Sequence, residues 1–285
     1  MTQSQPIASS AQPSVAIVTG ASSGIGRQTA IALAAKGCSV VLAARRADRL
    51  AATAQACRQE HLRHYAGRDV ARVLVRPTDV SVRRQVHELV QSAASELGRL
   101  DVMVNNAGTG LPGRVHELDE AELRKLFDVN FYGVFHGCQA AAAVMTRQKS
   151  GHILNVASII GRRGTPFHAA YCATKSAVLS LTESLRVEMM PYHVRVTAVM
   201  PALTDTEFFD ASGGIRRPPS EFQKRSGLMS ARVVGRRIAA CVGHDVPELR
   251  FTFGGRLLVV LAALWPGLAD RIMKIYHDDL ARNLK

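Results

Sequence analysis

The sequence predicts one α/β domain: a doubly wound parallel sheet of about seven strands with helices on both faces, plus a helical C-terminal extension. Three observations carry that reading. Short apolar segments alternate with helix-forming ones from residue 15 to residue 200. The first apolar segment runs into a glycine-rich turn and then a helix, and no linker or internal repeat divides the chain. Strands apolar on both faces belong to a parallel sheet covered on both sides. Right-handed crossovers wind such a sheet in both directions and leave its ligand crevice at the carboxyl ends of the strands.

Val15-Ala16-Ile17-Val18-Thr19 is the first strand, and Gly20-Ala21-Ser22-Ser23-Gly24-Ile25-Gly26 turns the chain. Residues 27–36, rich in Ala and Leu, form the first helix, with Gly37 at its C-cap position. A second strand at 39–44 precedes a helix over 47–60. A third at 70–75 precedes a helix over 81–97. The fourth, at 100–104, ends in Asn105-Asn106-Ala107-Gly108. Residues 117–147 hold one long helix, 152–156 the fifth strand, 169–190 a helix and 194–200 the sixth strand. Beyond a loop, a helix is expected at 230–242 and a seventh strand at 248–253. The apolar run Leu257-Leu258-Val259-Val260-Leu261-Ala262-Ala263-Leu264-Trp265 follows, broken by Pro266-Gly267 and continued by amphipathic residues 268–280. The domain proper is thus residues 14–253, with a polar N-terminal tail at 1–13 and the extension at 254–285.

Hydrophobic residues make up 47% of the 285 and aromatic ones only 5%, so aliphatic side chains must fill the core. The formal charge is +13, but the basic residues are spread out, with only pairs such as Arg45-Arg46, Arg162-Arg163 and Arg216-Arg217. Without a basic segment interleaved with aromatics, the charge reads as a solvated surface, and no nucleic-acid partner is expected. The five cysteines (Cys38, Cys57, Cys138, Cys172, Cys241) form no C-x-x-C pair, which fits reduced, buried thiols in a cytoplasmic protein. The ten histidines show no metal-ligand spacing, so no metal site is expected. Residues 1–13 lack the apolar region of a signal peptide, and no apolar run approaches the roughly 18–20 residues that span a bilayer.

Two stretches carry chemistry. A strand, a glycine turn and a helix start form an anion site, because unpaired N–H groups and the positive helix end face a ligand that glycines let approach. The spacing here is G-x-x-x-G-x-G rather than G-x-G-x-x-G. After the fifth strand come Ser158, then Tyr171 and Lys175. The latter two lie four apart, on one face of a helix. A phenol is a poor base near neutral pH, and a neighbouring ammonium would favour its phenolate. Ser158 would hydrogen-bond the substrate oxygen near Tyr171.

Together these residues resemble the short-chain dehydrogenase/reductase family. The resemblance covers roughly residues 14–209 and rests on Thr19 to Gly26, Asp79-Val80, Asn105-Asn106-Ala107-Gly108, Asn130, Ser158 and Tyr171-Cys172-Ala173-Thr174-Lys175. It implies a Rossmann-type fold and an oxidoreductase interconverting a carbonyl and an alcohol. Tyr171 would be the acid/base and Ser158 the orienting residue. Lys175 would bind the nicotinamide ribose and tune Tyr171, and Asn130 would hold a relay water. Gly20, Ser22, Ser23, Gly24, Ile25 and Gly26 would cradle the pyrophosphate. Asp79 and Val80 would lie by the adenine, and Asn106, Ala107 and Gly108 would line the cleft. Pro201 to Thr206 matches a Pro-Gly segment of the family with Ala202 in place of glycine, and Thr206 would meet the cofactor. Residues 203–228, with Gly213-Gly214 and Pro218-Pro219, would form the substrate lid. The substrate would be a small carbonyl or alcohol, with an apolar one in view.

Cofactor choice is read where the second strand ends. An acidic residue there would favour NAD. The chain instead has Ala43-Ala44-Arg45-Arg46, which places Arg45 for the 2′-phosphate of NADP(H), with Ser23 assisting. The alternative function is a non-enzymatic NADP(H)-binding regulator, against which the intact Ser158, Tyr171 and Lys175 count. The weakly charged helices at 131–145 and 169–181 suit a homodimer or homotetramer interface. For the apolar C-terminal run, packing on a subunit or substrate pocket ranks ahead of peripheral membrane contact.

Overall fold

The computed structural model describes residues 13–65, 71–206 and 228–282. Seven parallel strands lie in the order β3-β2-β1-β4-β5-β6-β9: β1 Val15–Thr19, β2 Ser39–Ala44, β3 Val73–Pro77, β4 Val102–Asn105, β5 Gly151–Val156, β6 Val194–Met200 and β9 Glu248–Arg250. A small separate pair joins β7 Thr204–Asp205 to β8 Met229–Ser230. The order reverses between β1 and β4, and that switch point is where a doubly wound sheet opens a crevice for a ligand.

The helices are α1 Gly24–Ala34, α2 Ala47–Tyr65, α3 Arg83–Leu97, α4 Glu120–Phe127, α5 Gly133–Gln148, α6 Ala169–Met189, α7 Ala231–Cys241, α8 Phe253–Leu264 and α9 Pro266–Arg282. Alternation along the strands feeds two cores. Val15 and Ile17 of β1 join residues of α3, α5 and α6, while Ala16 and Val18 join residues of α1, α2 and α7. On the second face α7 lies directly on α1. A Cβ at Gly235 would come within 2.6 Å of the α1 backbone at Gln28 and Thr29, so only glycine permits that approach.

Several buried polar side chains are linked in pairs and chains. Asn105 Nδ2 donates to Asn155 Oδ1 at 2.8 Å, and Asn155 Nδ2 donates to Thr182 Oγ1 at 3.0 Å, linking β4, β5 and α6. Buried His152 faces Thr197 Oγ1 through Nε2 at 2.8 Å, and its Nδ1 accepts from the Gly243 amide at 3.2 Å. Thr197 gives its own proton to the Val246 carbonyl, so the ring carries its proton on Nε2 and is neutral. Burial lowers its pKa to about 3. All five cysteines are free and buried. Burial raises Cys38 to about 11 and Cys57 and Cys138 to about 12, leaving these three thiols protonated and inert.

Several boundaries differ from the sequence expectation. The first helix begins at Gly24, inside the glycine turn, rather than at 27. The helix expected over 117–147 is interrupted: α4 ends at Phe127, a π-helical turn occupies Asp128–Tyr132, and α5 begins at Gly133. β9 covers 248–250 rather than 248–253, since Phe253 already opens α8. Residues 1–12 of the expected tail at 1–13 and 207–227 of the expected lid at 203–228 fall outside the described residues, as do 66–70 and 283–285. β7 and β8 lie on either side of residues 207–227 in the sequence, and the Met229 amide donates to the Leu203 carbonyl at 2.9 Å. Pro266 starts α9, where its missing N–H costs nothing. In this extension Ala269 and Met273 pack inward, whereas Val260, Leu264 and Trp265 are exposed.

Candidate active site

The crevice between β1 and β4 is built by the glycine turn and held by Thr19. Its hydroxyl donates to the Val104 carbonyl at 3.3 Å and accepts the amides of Asn106 and Ala107 at 2.9 and 3.1 Å. Asn106 Nδ2 returns to the Thr19 carbonyl at 2.9 Å, closing a clamp between the ends of β1 and β4. Gly20 has φ +66°, and a Cβ there would lie 2.8 Å from Asn106 Nδ2. A Cβ on Gly26 would fall on the Gly20 carbonyl oxygen and Asn106 Nδ2. The turn is therefore pressed against Asn106 and Ala107 and leads straight into the N-terminus of α1, a cradle suited to a pyrophosphate. Gly24 has φ +51°, and a Cβ on it would stand 3.1 Å from Thr206 Cγ2, so Thr206 reaches the turn from across the crevice. Positive φ among described non-glycine residues occurs only at Lys149, Phe167 and His193. Ala202 thus fills its place without left-handed strain.

Arg45 and Arg46 leave the end of β2 exposed to solvent. Arg46, not Arg45, bridges to the glycine turn: its Nη2 donates to the hydroxyls of Ser22 and Ser23, at 3.1 Å each. The sequence expectation places Arg45 at this position, and nothing in the pair Arg45-Arg46 distinguishes its neighbour. Asp79 accepts at Oδ1 from the amide and hydroxyl of Ser81, at 3.0 and 2.7 Å. Buried Val80 lies against Gly133 at the start of α5.

At the carboxyl end of β5, Ser158 caps the turn Ile159–Gly161, and its Oγ accepts the Ile160 amide at 3.4 Å. That turn rests on α6, where Ser176 Oγ donates to the Gly161 carbonyl at 2.6 Å. Tyr171, in the first turn of α6, is hydrogen-bonded to Ser158. Removal from water raises its phenol above the ordinary range, and the Ser158 bond opposes that shift. Lys175 is 3% exposed. Its Nζ donates to the Val156 carbonyl at 2.8 Å and lies 5.6 Å from the centre of the Tyr171 ring. Burial lowers its pKa to about 8. Burial therefore dominates the phenol of Tyr171, which keeps its proton.

Asn130 completes the group from within the π-helical turn, a feature that collects at functional sites because it frees backbone groups from the helix ladder. Fully buried, it accepts the Thr109 amide at Oδ1 (2.8 Å) and donates through Nδ2 to the Thr109 carbonyl (2.9 Å) and Thr174 Oγ1 (3.2 Å). A Cβ at Gly108 would lie 3.3 Å from Asn130 Oδ1 and 3.7 Å from Lys175 Nζ, so the β4 loop passes close over both. On the far side of the site, Phe167 takes φ +63° and stacks on His277 of α9 at 5.1 Å, with the Arg114 guanidinium 5.9 Å from its ring. Arg163 pairs with Asp270 of the same helix. The C-terminal helix thereby forms a wall beside the loop at 162–168, a connection the sequence did not announce.

A dinucleotide cradle at the switch point and a Ser-Tyr-Lys group one strand away define a protein class, the nucleotide-dependent oxidoreductases of doubly wound fold. The chain matches the family model for short chain dehydrogenases over residues 14–213, and it belongs to that family. An uncharacterized oxidoreductase of Staphylococcus saprophyticus is 38% identical over 198 residues, covering 69% of this chain and 76% of the relative. Among solved structures, a short chain dehydrogenase/reductase from Burkholderia phymatum in complex with NAD is similar with a TM-score of 0.77 and 30% identity, covering 88% of this chain and 93% of that one. An alcohol dehydrogenase from the archaeon Thermococcus sibiricus, complexed with 5-hydroxy-NADP, gives a TM-score of 0.73 at 30% identity, with 84% and 96% covered.

Proposed function

We propose that the protein is an NADP(H)-dependent oxidoreductase that interconverts a carbonyl and an alcohol on a small-molecule substrate, with Tyr171 as the acid/base. The observation that carries this reading is the contact of Ser158 with Tyr171 while Lys175 lies over the same ring. The glycine turn, with Asn106, Ala107, Gly108, Pro201 and Thr206, would hold the cofactor, and Asp79 and Val80 would border its adenine. When bound, the nicotinamide supplies or receives a hydride at carbon. In the direction of reduction Ser158 and Tyr171 orient the carbonyl oxygen, and Tyr171 delivers its proton there. Its raised phenol suits it to start as the acid. Lys175 favours the phenolate left behind, and Asn130 positions the water from which Tyr171 is reprotonated.

Selection of NADP(H) over NAD(H) rests on the charge at the end of β2. Arg46 sits on Ser22 and Ser23, and Arg45 stands beside it, so a 2′-phosphate would meet two guanidinium groups and two hydroxyls with no carboxylate before Asp48. A homodimer or homotetramer through α5 and α6 accords with the exposed Tyr132, Phe135, Val187 and Met190. Five free cysteines support a reducing, cytoplasmic setting. The experiment that tests the activity is a turnover screen of ketones and secondary alcohols with each of the four nicotinamide cofactors. Absence of turnover with every carbonyl and alcohol tried, alongside tight NADPH binding, would reverse the assignment in favour of a binding protein.

A further inference from the structure

Helix α8 is apolar over nearly its whole circumference, as Phe253-Gly254-Gly255-Arg256-Leu257-Leu258-Val259-Val260-Leu261-Ala262-Ala263-Leu264 shows, and α9 is its principal neighbour. A helix of that composition ordinarily buries more than one face. Here Val260, Leu264 and Trp265 are 48, 61 and 59% exposed. α9 continues the surface: Leu268, Arg271 and Ile275 share one outward face at i, i+3 and i+7, with Leu268 48% and Ile275 70% exposed and Lys274 alongside. The opposite face of α9 is fixed to the body by buried Ala269 and Met273, by the Arg163–Asp270 pair and by Phe167 on His277. The outward face is therefore held in place rather than left to fold inward.

We propose that the α8–α9 corner, from Val260 to Leu268 with Ile275, docks peripherally on an anionic lipid surface. Trp265 stands at the corner, with an apolar ring and a polar N–H that suit the boundary between headgroups and acyl chains. The exposed cations Arg271 and Lys274, the latter paired with Asp278, flank the leucines. The whole chain carries +13, the sign that anionic headgroups attract. Among the described residues no helix is long and apolar enough to cross a membrane. α8 has 12 residues, which at about 1.5 Å each cover well under the hydrocarbon thickness of a bilayer, so the corner rests in one leaflet. A second copy of the chain is the weaker occupant. A two-fold contact on this face would gather Arg271 and Lys274 of both molecules into one interface.

Trp265 is the only tryptophan in the chain, so its emission reports on this corner alone. Full-length protein is mixed with vesicles of phosphatidylcholine, and with vesicles in which about one third is phosphatidylserine. With the acidic vesicles Trp265 emission should shift to shorter wavelength, brominated acyl chains should quench it, and the protein should sediment with lipid and be partly released by salt. The double substitution Leu264→Glu, Leu268→Glu should lower the bound fraction at least roughly tenfold, since it removes apolar area and adds charge repelled by the headgroups. Its thermal unfolding and NADPH binding should match the parent. Unshifted Trp265 emission with all protein left in the supernatant overturns the proposal, as does equal binding to neutral vesicles. A lipid-independent blue shift that grows with protein concentration, accompanied by self-association in sedimentation velocity, assigns the surface to a second copy and also overturns it. None of these readouts depends on catalysis.

Discussion

Arg46 and Ser23 face each other across the mouth of the glycine turn, with Nη2 donating to Oγ at 3.1 Å. The two side chains come from the turns that follow the adjacent strands β1 and β2, and Ser22 accepts from the same nitrogen. A phosphate at this mouth would take over donors that now point at neutral hydroxyls, an exchange that favours the more highly charged acceptor.

Cofactor preference should follow from this pair and its neighbour. Arg46→Ala and, separately, Arg45→Asp should each weaken NADPH binding about ten- to hundredfold, the equivalent of a charge-assisted hydrogen bond of about 1.5–3 kcal/mol. NADH binding should change little in the first variant and improve relative to NADPH in the second. Dissociation constants for both cofactors decide the matter, and an unaltered ratio in both variants would leave the selectivity with some other group.

Tyr171→Phe should keep NADPH affinity and lose about 10²- to 10⁴-fold in kcat, because it removes a proton donor and leaves the ring in place over Lys175. Stopped-flow binding beside steady-state turnover separates the two effects. Near-normal turnover in this variant would transfer the acid/base role elsewhere.

Gly26→Ala tests the cradle. Its methyl group would fall on the Gly20 carbonyl oxygen, backbone that cannot swing aside as a side chain can. We expect a stability loss of about 1–3 kcal/mol together with weaker cofactor binding. Thermal unfolding with and without NADPH provides the check. A variant that binds and unfolds like the parent would mean that the turn has room to move.

His152 makes the fold acid-sensitive. Its pKa is about 3 in the folded chain against an ordinary 6.5, so below pH 6.5 the unfolded chain binds a proton that the folded chain refuses. Its contribution is complete above pH 6.5 and is lost progressively as the pH falls from there towards 3. Between pH 7 and pH 5 the loss should be about 2 kcal/mol. Denaturant midpoints measured across that range should fall more steeply in the parent than in His152→Gln, whose side chain does not titrate. Parallel slopes would place the acid sensitivity in other groups.

How far the sequence reveals the molecule depends on how local each signal is. β2 at 39–44 and β6 at 194–200 match expectation end to end, because β2 is apolar after Ser39 and follows Gly37, and β6, apolar apart from Arg195 and Thr197, stops at Pro201. The break at Asp128–Tyr132 had no such signal. Residues 120–148 contain no proline to stop a helix, and the π-helical turn accompanies bonds from Asn130 to Thr109 and Thr174, partners brought in by the fold from 21 and 44 residues away. Arg45 and Arg46 are likewise equal in sequence. Both lie beyond β2, and which of them reaches Ser22 and Ser23 is set by the turn that leads into α2. The His277–Phe167 stack was invisible for the same reason, since it joins segments that share no pattern.

The close seat of Gly235 on α1 has a consequence for biosynthesis. α1 opens at the glycine turn near the start of the chain, yet the helix that covers its outer face is α7, about 200 residues later in translation. While the intervening chain emerges, Ala30 and Leu33 have no Val234 or Ile238 to pack against, although β1 already has its β2 neighbour. The nascent protein therefore passes through a stage with an exposed apolar helix face, and its first-made segment is among the last to be shielded. Substitutions at Gly235 should lower the yield of soluble protein on synthesis more than they lower the melting temperature of the molecules that do fold.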